Sequence, residues 1–479
     1  MFALPGIVAL IAFIYARPQE FFESLQSVPF LYLFFFLAIF GLVLDLRVGY
    51  TRLRGTPHLL WVGLFYVWCM VTAAIQVPSQ LLSYVISLAI SIALYLVIAH
   101  GIQSFKGLEL VTSAVLGMVL FVAAIGVHQG FSDEQCIIVD EAVVGDQTTG
   151  KPDGRPCETP RECYVGDAEP GAQYLCERVG LLGTTSISNG RVRYRGVLQD
   201  PNELALAASI GMPLAFALGQ RRRKASNSMI AVFTVLLVLV CAILTRSRGG
   251  QLVFLAVLAT YFFRRYGLKG ILAGGFLALP LLALGGRGGG EAETSTMERT
   301  ECWYEALQIF RGSPLYGVGI GQFGEYHYLT AHNSYLLALA ELGFPGAVLF
   351  CTLIYVSFKI PLAILKRYPS PVRSRRAGVV LAEDVGPTGV DLEAAGVARA
   401  WALGMLAAFC GLAVGIFFLS FSYHYVLWIY MGLSGALYSA TKAHDPDFAV
   451  KFGWREFGFV VLGVLALAAA VFLFTRLSL

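Results

Sequence analysis

The chain has 479 residues, of which 57% are hydrophobic and only 14% charged, and its mean hydropathy is +0.68. That composition excludes a soluble globular domain, because apolar runs long enough to cross a hydrocarbon core recur along the whole chain. The fold class it predicts is all-α, a polytopic helical integral membrane protein. The formal net charge of +4 decides little; where the charges sit decides more.

In chain order, spans are predicted at about 2–16, 29–44, 58–76, 80–99 and 107–127, an N-terminal membrane block over 1–127. The first run, Phe2 to Tyr15, has no basic leader and no small-residue cleavage site, so it reads as a span and not as a signal peptide. A long polar segment, 128–202, follows. The central block, 203–285, holds spans at 203–220, 228–245, 251–263 and 270–285, the last two short for a full crossing. A second polar segment, 286–332, leads into a span at 333–358 and a linker at 359–399. The C-terminal block, 400–479, holds spans at 400–420, 424–441 and 457–474. The total is 12 or 13 crossings.

Orientation follows from lysine and arginine. Arg47, Arg52, Arg54, the run 221–224, Arg264, Arg265, Lys269 and the basic stretch from Lys366 to Arg376 fall on one side when the N-terminus is cytoplasmic. The two large polar segments, 128–202 and 286–332, then face the periplasm, and 359–399 stays inside as a flexible, solvated connector.

The first outer segment contains Cys136, Cys157, Cys163 and Cys176. Four cysteines in a polar loop on the oxidising side predict two disulfides, with three connectivities open. A zinc site competes, but the loop has no CxxC pair and no histidine after His128. Cys69, Cys241, Cys351 and Cys410 sit in apolar runs as small packing residues, and Cys302 lies on the second outer segment.

Three sets of residues on the outer side carry chemistry. Arg191, Arg193 and Arg195 alternate, which puts three guanidinium groups on one side of an extended segment. Asp200-Pro201-Asn202 then opens the next helix, with Asp200 as N-cap. The alternation fits either a basic surface strand or an anion site. Arg246 and Arg248 flank a span end beside Gly249-Gly250. Arginine on this face runs against the positive-inside bias, so a bound anion competes with snorkelling to headgroups. In Glu298 to Arg311, the spacing of Trp303, Ala306, Leu307 and Phe310 predicts an amphipathic helix lying along the membrane surface. Arg299 falls on or beside its apolar stripe and needs a partner, either a carboxylate such as Glu341 or a phosphate. The run Gly317-Val318-Gly319-Ile320-Gly321 has no strand before it and no Rossmann helix after it, which excludes a nucleotide loop; it reads as a flexible turn. His332-Asn333 stands where the outer segment re-enters the membrane, close to these arginines, and is the candidate proton-transfer group. His327 and His424 are its rivals.

With these residues in place, the chain resembles the O-antigen ligase and polymerase superfamily of bacterial envelope glycan transferases. His332-Asn333, nine residues, then Gly343-Phe344-Pro345-Gly346 fits its H-N-x9-G-x-x-G pattern. Gly196 to Asn202 is similar to its loop ending in Pro-Asn, Ser247-Arg248-Gly249 to its Ser-Arg-Gly, and Arg299 with Trp303 and SPLYGVGIGQF to the segment before its histidine. The likeness runs over roughly 190–350. Tyr15 to Phe22, YARPQEFF, is similar to members tied to exopolysaccharide or protein glycosylation. The resemblance implies a GT-C-like fold in the bacterial inner membrane and an active site facing the periplasm. The reaction it implies moves a glycan from an undecaprenyl-diphosphate carrier to a hydroxyl of a glycan, lipid core or protein. It implies no metal or other cofactor, and partners in the bilayer but no nucleic acid. His332 takes the role of base. Arg195, Arg248 and Arg299 hold the diphosphate, with Arg193, Arg246 and Asn333 as further candidates. The cysteine-bearing loop departs from the family pattern and leaves the acceptor open, as it leaves ligase or polymerase. The competing class, a glycan transporter or flippase, predicts charges near mid-membrane and an internal repeat; the sequence has charges at span ends and no such repeat.

Overall fold

The computed structural model describes residues 1–141, 149–221, 225–270, 272, 274–276, 290–369 and 392–478. Its helices are α1 (Ala3–Ala16), α2 (Phe30–Val48), α3 (Leu59–Gln76), α4 (Leu81–Gly101), α5 (Phe105–Gly130), α6 (Pro201–Arg221), α7 (Ala225–Leu244), α8 (Arg248–Tyr266), α9 (Gly290–Gly312), α10 (Ser334–Arg367), α11 (Leu392–Gly415), α12 (Tyr425–His444) and α13 (Trp454–Ser478). Among the described residues nine helical segments are long and apolar enough to cross a membrane, and the chain is a multi-pass membrane protein. α11 and α12 are buried along nearly their whole length. α2, α7 and α13 form the periphery, with large apolar side chains such as Phe36, Phe233 and Leu462 facing outward, as helices do where the surroundings are lipid.

Helix ends depart from the sequence reading where charges or glycines blurred the apolar pattern. α8 runs over 19 residues, against the predicted 251–263, because Gly249-Gly250 and Arg264-Arg265 lie within the helix. α10 continues to Arg367 through the first part of the predicted linker. Residues 370–391 of that linker, most of the predicted span 270–285 and part of the run 221–224 lie outside the described residues.

One end of the bundle is tied by ion pairs. Asp45 of α2, fully buried, accepts from the Phe2 and Ala3 N–H groups at 2.8 and 2.9 Å and so caps α1 from a neighbouring helix. Arg367 pairs with Asp445 at 2.9 Å, and Tyr368 donates to the same carboxylate. The opposite end carries the candidate site residues.

There the segment after α5 is not a plain loop. Strands β1 (Glu134–Glu141), β2 (Thr149–Pro156) and β3 (Tyr174–Arg178) make an antiparallel sheet in the order β2-β1-β3. β2 reads TGKPDGRP, a composition poor in strand formers, which is why the sequence hid it. Disulfides supply what propensity lacks: Cys136 joins Cys163 and Cys157 joins Cys176. Cys136 and Cys176 face each other across β1 and β3, so the bridges lie side by side and bury together with Tyr174. All four sulfurs are taken by these bridges.

The second organising feature is a break in α10. Gly343 has φ +66° and ψ −172°, outside the helical region. Pro345 has no N–H, so the helix has no i+4 donor for the Glu341 carbonyl. The loosened carbonyls are taken from outside: Ala340 and Glu341 accept from the Val318 and Gly319 N–H groups at 3.0 and 2.9 Å, and Leu342 accepts from Trp68 Nε1 at 2.8 Å. The Phe344 N–H turns away to Pro314 O, at 2.8 Å. The run Gly317 to Gly321 is therefore a docked loop and not a free one. Gly317, at φ +64°, lies so close to the Glu341 backbone that a Cβ would sit 2.3 Å from its carbonyl carbon. A straight helix of about 34 residues would be roughly 50 Å long; the break leaves a short outer piece, 334–342, and a longer piece that can cross by itself.

Two outcomes follow. Gly343→Ala, which adds a Cβ 2.3 Å from Leu315 O at a positive φ, should cost about 2 kcal/mol or more, read as a lowered midpoint of thermal unfolding in detergent. Replacing Cys157 and Cys176 together by serine should destabilise the sheet by about 3 kcal/mol. Limited proteolysis would then cut within 134–178 while the helical bundle persists.

Candidate functional site

The site grows from the starts of α6, α8 and α10, the last two beside one turn. α6 begins at Pro201, and the Asp200 carboxylate accepts from the Asn202 backbone and side-chain N–H groups, both at 2.7 Å. Asn202 Oδ1 in turn accepts from the Ser247 hydroxyl. Ser247 caps α8 by accepting from the Gly250 N–H at 2.9 Å. The Pro-Asn and Ser-Arg-Gly stretches, far apart in sequence, thus form one hydrogen-bonded chain that fixes the first turn of α8. Arg248 stands on that turn, exposed, and donates to Thr296 of α9 at 3.0 Å.

Thr296 lies one helical turn before Arg299, so Arg248 and Arg299 are neighbours across α8 and α9. Arg299 is half-buried, with its guanidinium 5.8 Å from the centre of the Phe418 ring, a cation–π distance. Phe418 also packs against Gly249. Trp303, on the same face of α9, packs edge-on to Phe417 and contacts Phe474 of α13. The apolar stripe of α9 is therefore seated on the protein.

Phe417 and Phe418 belong to the turn 416–424 between α11 and α12, which receives the start of α10 as well. The Ser334 N–H donates to Ile416 O at 2.8 Å; the Ser334 hydroxyl donates to Leu419 O and accepts from the Phe421 N–H; the Ser422 hydroxyl donates to Ser334 O. Asn333, fully buried, caps α10 through Oδ1, accepting from the Tyr335 and Leu336 N–H groups at 3.0 and 3.1 Å. His332, one residue earlier, has φ +45°, a left-handed conformation unusual for a side-chain-bearing residue. Its N–H points to Thr330 Oγ1, and Thr330 is hydrogen-bonded to Ser420 of the turn. Arg299 thus touches the turn 416–424 directly, Arg248 is next to it through Gly249, and His332 through Thr330; all three reach solvent.

The rival histidines are occupied. His327 Nδ1 accepts from the Leu329 N–H at 3.1 Å and lies 3.6 Å from the Cys302 sulfur, closing its own loop. Burial pushes the Cys302 thiol up to about 12, so it stays protonated there. His424 caps α12, accepting from the Val426 N–H through Nδ1, with its ring stacked 3.8 Å from Phe421.

Residues 233–351 match the family model described as O-antigen ligase, a stretch that holds Arg246, Arg248, Arg299, His332 and Asn333. The match supports a likeness to the O-antigen ligase/polymerase superfamily over that stretch. No curated protein sequence matches it. The activity associated with that family is glycan transfer of the O-antigen ligase or polymerase type.

The alternating arginines lie outside the matched stretch and are placed differently from a one-sided row. Arg191 and Arg193 are buried and donate to the backbone carbonyls of Thr245 and Thr185 at 3.2 and 3.0 Å. Arg195 donates to Glu20 O and Gly183 O and lies over Phe21, beside the YARPQEFF stretch. With Glu20, Lys151 and Arg193 it lines a separate cavity of about 360 Å³. Glu341, offered by the sequence as a partner for Arg299, instead accepts from Tyr423 and Phe323. The participant that sequence reasoning missed is the turn 416–424. Its signal was the short polar run Ser420, Ser422, Tyr423 and His424 between two apolar stretches.

Because Ser247 both caps α8 and holds Asn202, Ser247→Ala should cost about 1 kcal/mol and displace Arg248. Unfolding midpoints, together with the reactivity of a cysteine placed at 248, would register both effects.

Proposed function

We propose that the chain transfers a glycan from a polyprenyl-diphosphate carrier, of the undecaprenyl type, to an acceptor hydroxyl at the outer face of the membrane. The observation that carries this reading is the meeting of His332, Arg248 and Arg299 at the turn 416–424. A hydroxyl becomes a competent nucleophile only as its proton leaves during attack, and the His332 imidazole is the base for that step. The bond from the sugar's anomeric carbon to the diphosphate breaks as the new glycosidic bond forms, and negative charge gathers on the leaving diphosphate. Arg248 and Arg299 stabilise that charge with planar, forked donors. Guanidinium groups can do this without a metal ion. Arg246 adds positive charge beside them, while Asn333 holds His332 by fixing the start of α10. Arg193 and Arg195, which line the separate cavity by the α1–α2 connection, are left out of the diphosphate role.

The clustering of basic residues at the other end of the bundle supports a cytoplasmic placement for that end and a periplasmic one for the site, in a bacterial inner membrane. Lipid-linked donors are the activated glycans of that compartment, which fits the reading better than nucleotide sugars do. The acceptor is a sugar, lipid-core or protein hydroxyl. No observation favours the transporter reading, since Arg248 stands at a helix start and Arg299 on α9, a helix outside the candidate membrane spans, and not along a mid-membrane path.

In proteoliposomes supplied with lipid-linked glycan, His332→Ala should lower transfer at least a hundredfold while the protein still inserts. Arg248→Lys and Arg299→Lys should each lose about tenfold or more, because a point charge lacks the fork. Near-normal transfer by the histidine variant would remove it as base, and normal rates in both lysine variants would remove the diphosphate assignment. In cells, deletion followed by glycan typing separates the two activities: single-repeat glycans indicate a polymerase, and accumulated carrier-linked polymer a ligase.

A further inference from the structure

Glu341 is 2% exposed, two helical turns below Asn333 and just before the break in α10. Its side chain spans two otherwise separate segments: one carboxylate oxygen accepts from the Phe323 N–H at 3.2 Å, and the other from the Tyr423 hydroxyl at 2.9 Å. Its backbone carbonyl, left without an i+4 donor by Pro345, accepts from the Gly319 N–H at 2.9 Å. A carboxylate buried in a membrane helix is costly unless its acceptor positions are filled. Among the described residues no lysine or arginine pairs with it, so these neutral donors hold it.

We infer that Glu341 is the positioning residue of the site, its carboxylate clamping the head of the His332 loop to the turn that carries Phe418 and Ser420. The geometry behind this is simple. The segment 324–332 hangs between two anchors. At one end Phe323 is tied to Glu341; at the other Asn333 and Ser334 are tied to the α10 start and to 416–424. Tyr423 brings the second end of that same turn to the same carboxylate. With both ends of the loop and the turn referred to one rigid helix piece, His332 has a defined place relative to Arg248 and Arg299. A strained φ at His332 persists only where its surroundings over-determine it, and the clamp is part of those surroundings. Glu341 touches neither donor nor acceptor in this role; it acts through His332.

The inference rests on the proposed transferase reading for its kinetic consequence, but not for its structural one, and the test uses both. Glu341→Gln keeps the volume and one acceptor oxygen but puts an NH2 group where an acceptor stood; Tyr423→Phe removes one donor and leaves the carboxylate. With full-length protein in proteoliposomes, Glu341→Gln should lower kcat about tenfold, the scale on which a displaced catalytic group acts, with KM for the lipid-linked donor within about twofold. Hydrogen exchange over 323–333 should rise in the same variant. Tyr423→Phe should move both readouts in the same direction, and the double variant should be no worse than Glu341→Gln alone, because the two residues act through one contact. Unchanged exchange and kcat in inserted Glu341→Gln protein, or additive losses in the double variant, would overturn the role. Where Glu341→Gln protein does not insert, Tyr423→Phe decides by the same two readouts. Faster exchange in Glu341→Gln combined with normal transfer by His332→Ala keeps the clamp and removes the transferase chemistry assigned to His332.

Discussion

The outer end of this protein depends on the interruption of α10 at Gly343. Two ordinary facts of backbone chemistry cause it: glycine tolerates a positive φ, and proline cannot donate a hydrogen bond. Together they strip the end of the first helix piece of its internal partners just where the chain would be entering the bilayer. Carbonyls left bare in an apolar setting cost several kcal/mol each, so the surrounding chain supplies donors. Val318, Gly319 and Trp68 provide them. A glycine-rich loop that looks mobile in the sequence is thereby pinned against α10.

That pinning turns a membrane bundle into a scaffold for a site. The loop leads through Phe323 to His332, and the short helix piece it docks on begins at Asn333. The turn 416–424 covers the same piece from the other side through Ser334, Ser422 and Tyr423. Arg248 and Arg299 approach over the aromatic side chains of that turn, on the first turn of α8 and along α9. Each functional group thus sits at a helix start or on a well-packed helix, not on a long free loop. This is the arrangement that holds charged groups in a fixed constellation beside a lipid phase. The disulfide-bridged sheet stands apart from it, a small domain-like excursion whose stability comes from covalent links more than from strand propensity.

The alternating arginines show how far pattern can mislead. Period-two spacing puts Arg191, Arg193 and Arg195 on one side only if the segment is a regular strand. The segment is paired at a single bridge, Ile187 with Arg191, and is followed by a short helical turn at Gly196–Leu198. Arg191 and Arg193 therefore turn inward to backbone carbonyls, and Arg195 turns to the α1–α2 connection. Spacing identified the charged groups, but their targets are backbone carbonyls that range from 8 residues away for Arg193 to 54 for Arg191 and 175 for Arg195.

The sequence by itself determined the membrane class, most of the spans, the amphipathic face of α9 and the His332-Asn333…Gly343…Gly346 spacing. These follow from local hydropathy, periodicity and residue chemistry, which a linear reading captures. Only the tertiary structure decided that the glycine run is docked, that Glu341 serves Tyr423 and Phe323, and that Arg248, Arg299 and His332 share the turn 416–424. The physical reason is the same in each case. A hydrogen bond or a ring contact between residues about 20 to 120 positions apart is set by how helices and loops pack, and that information resides in no local periodicity of the chain.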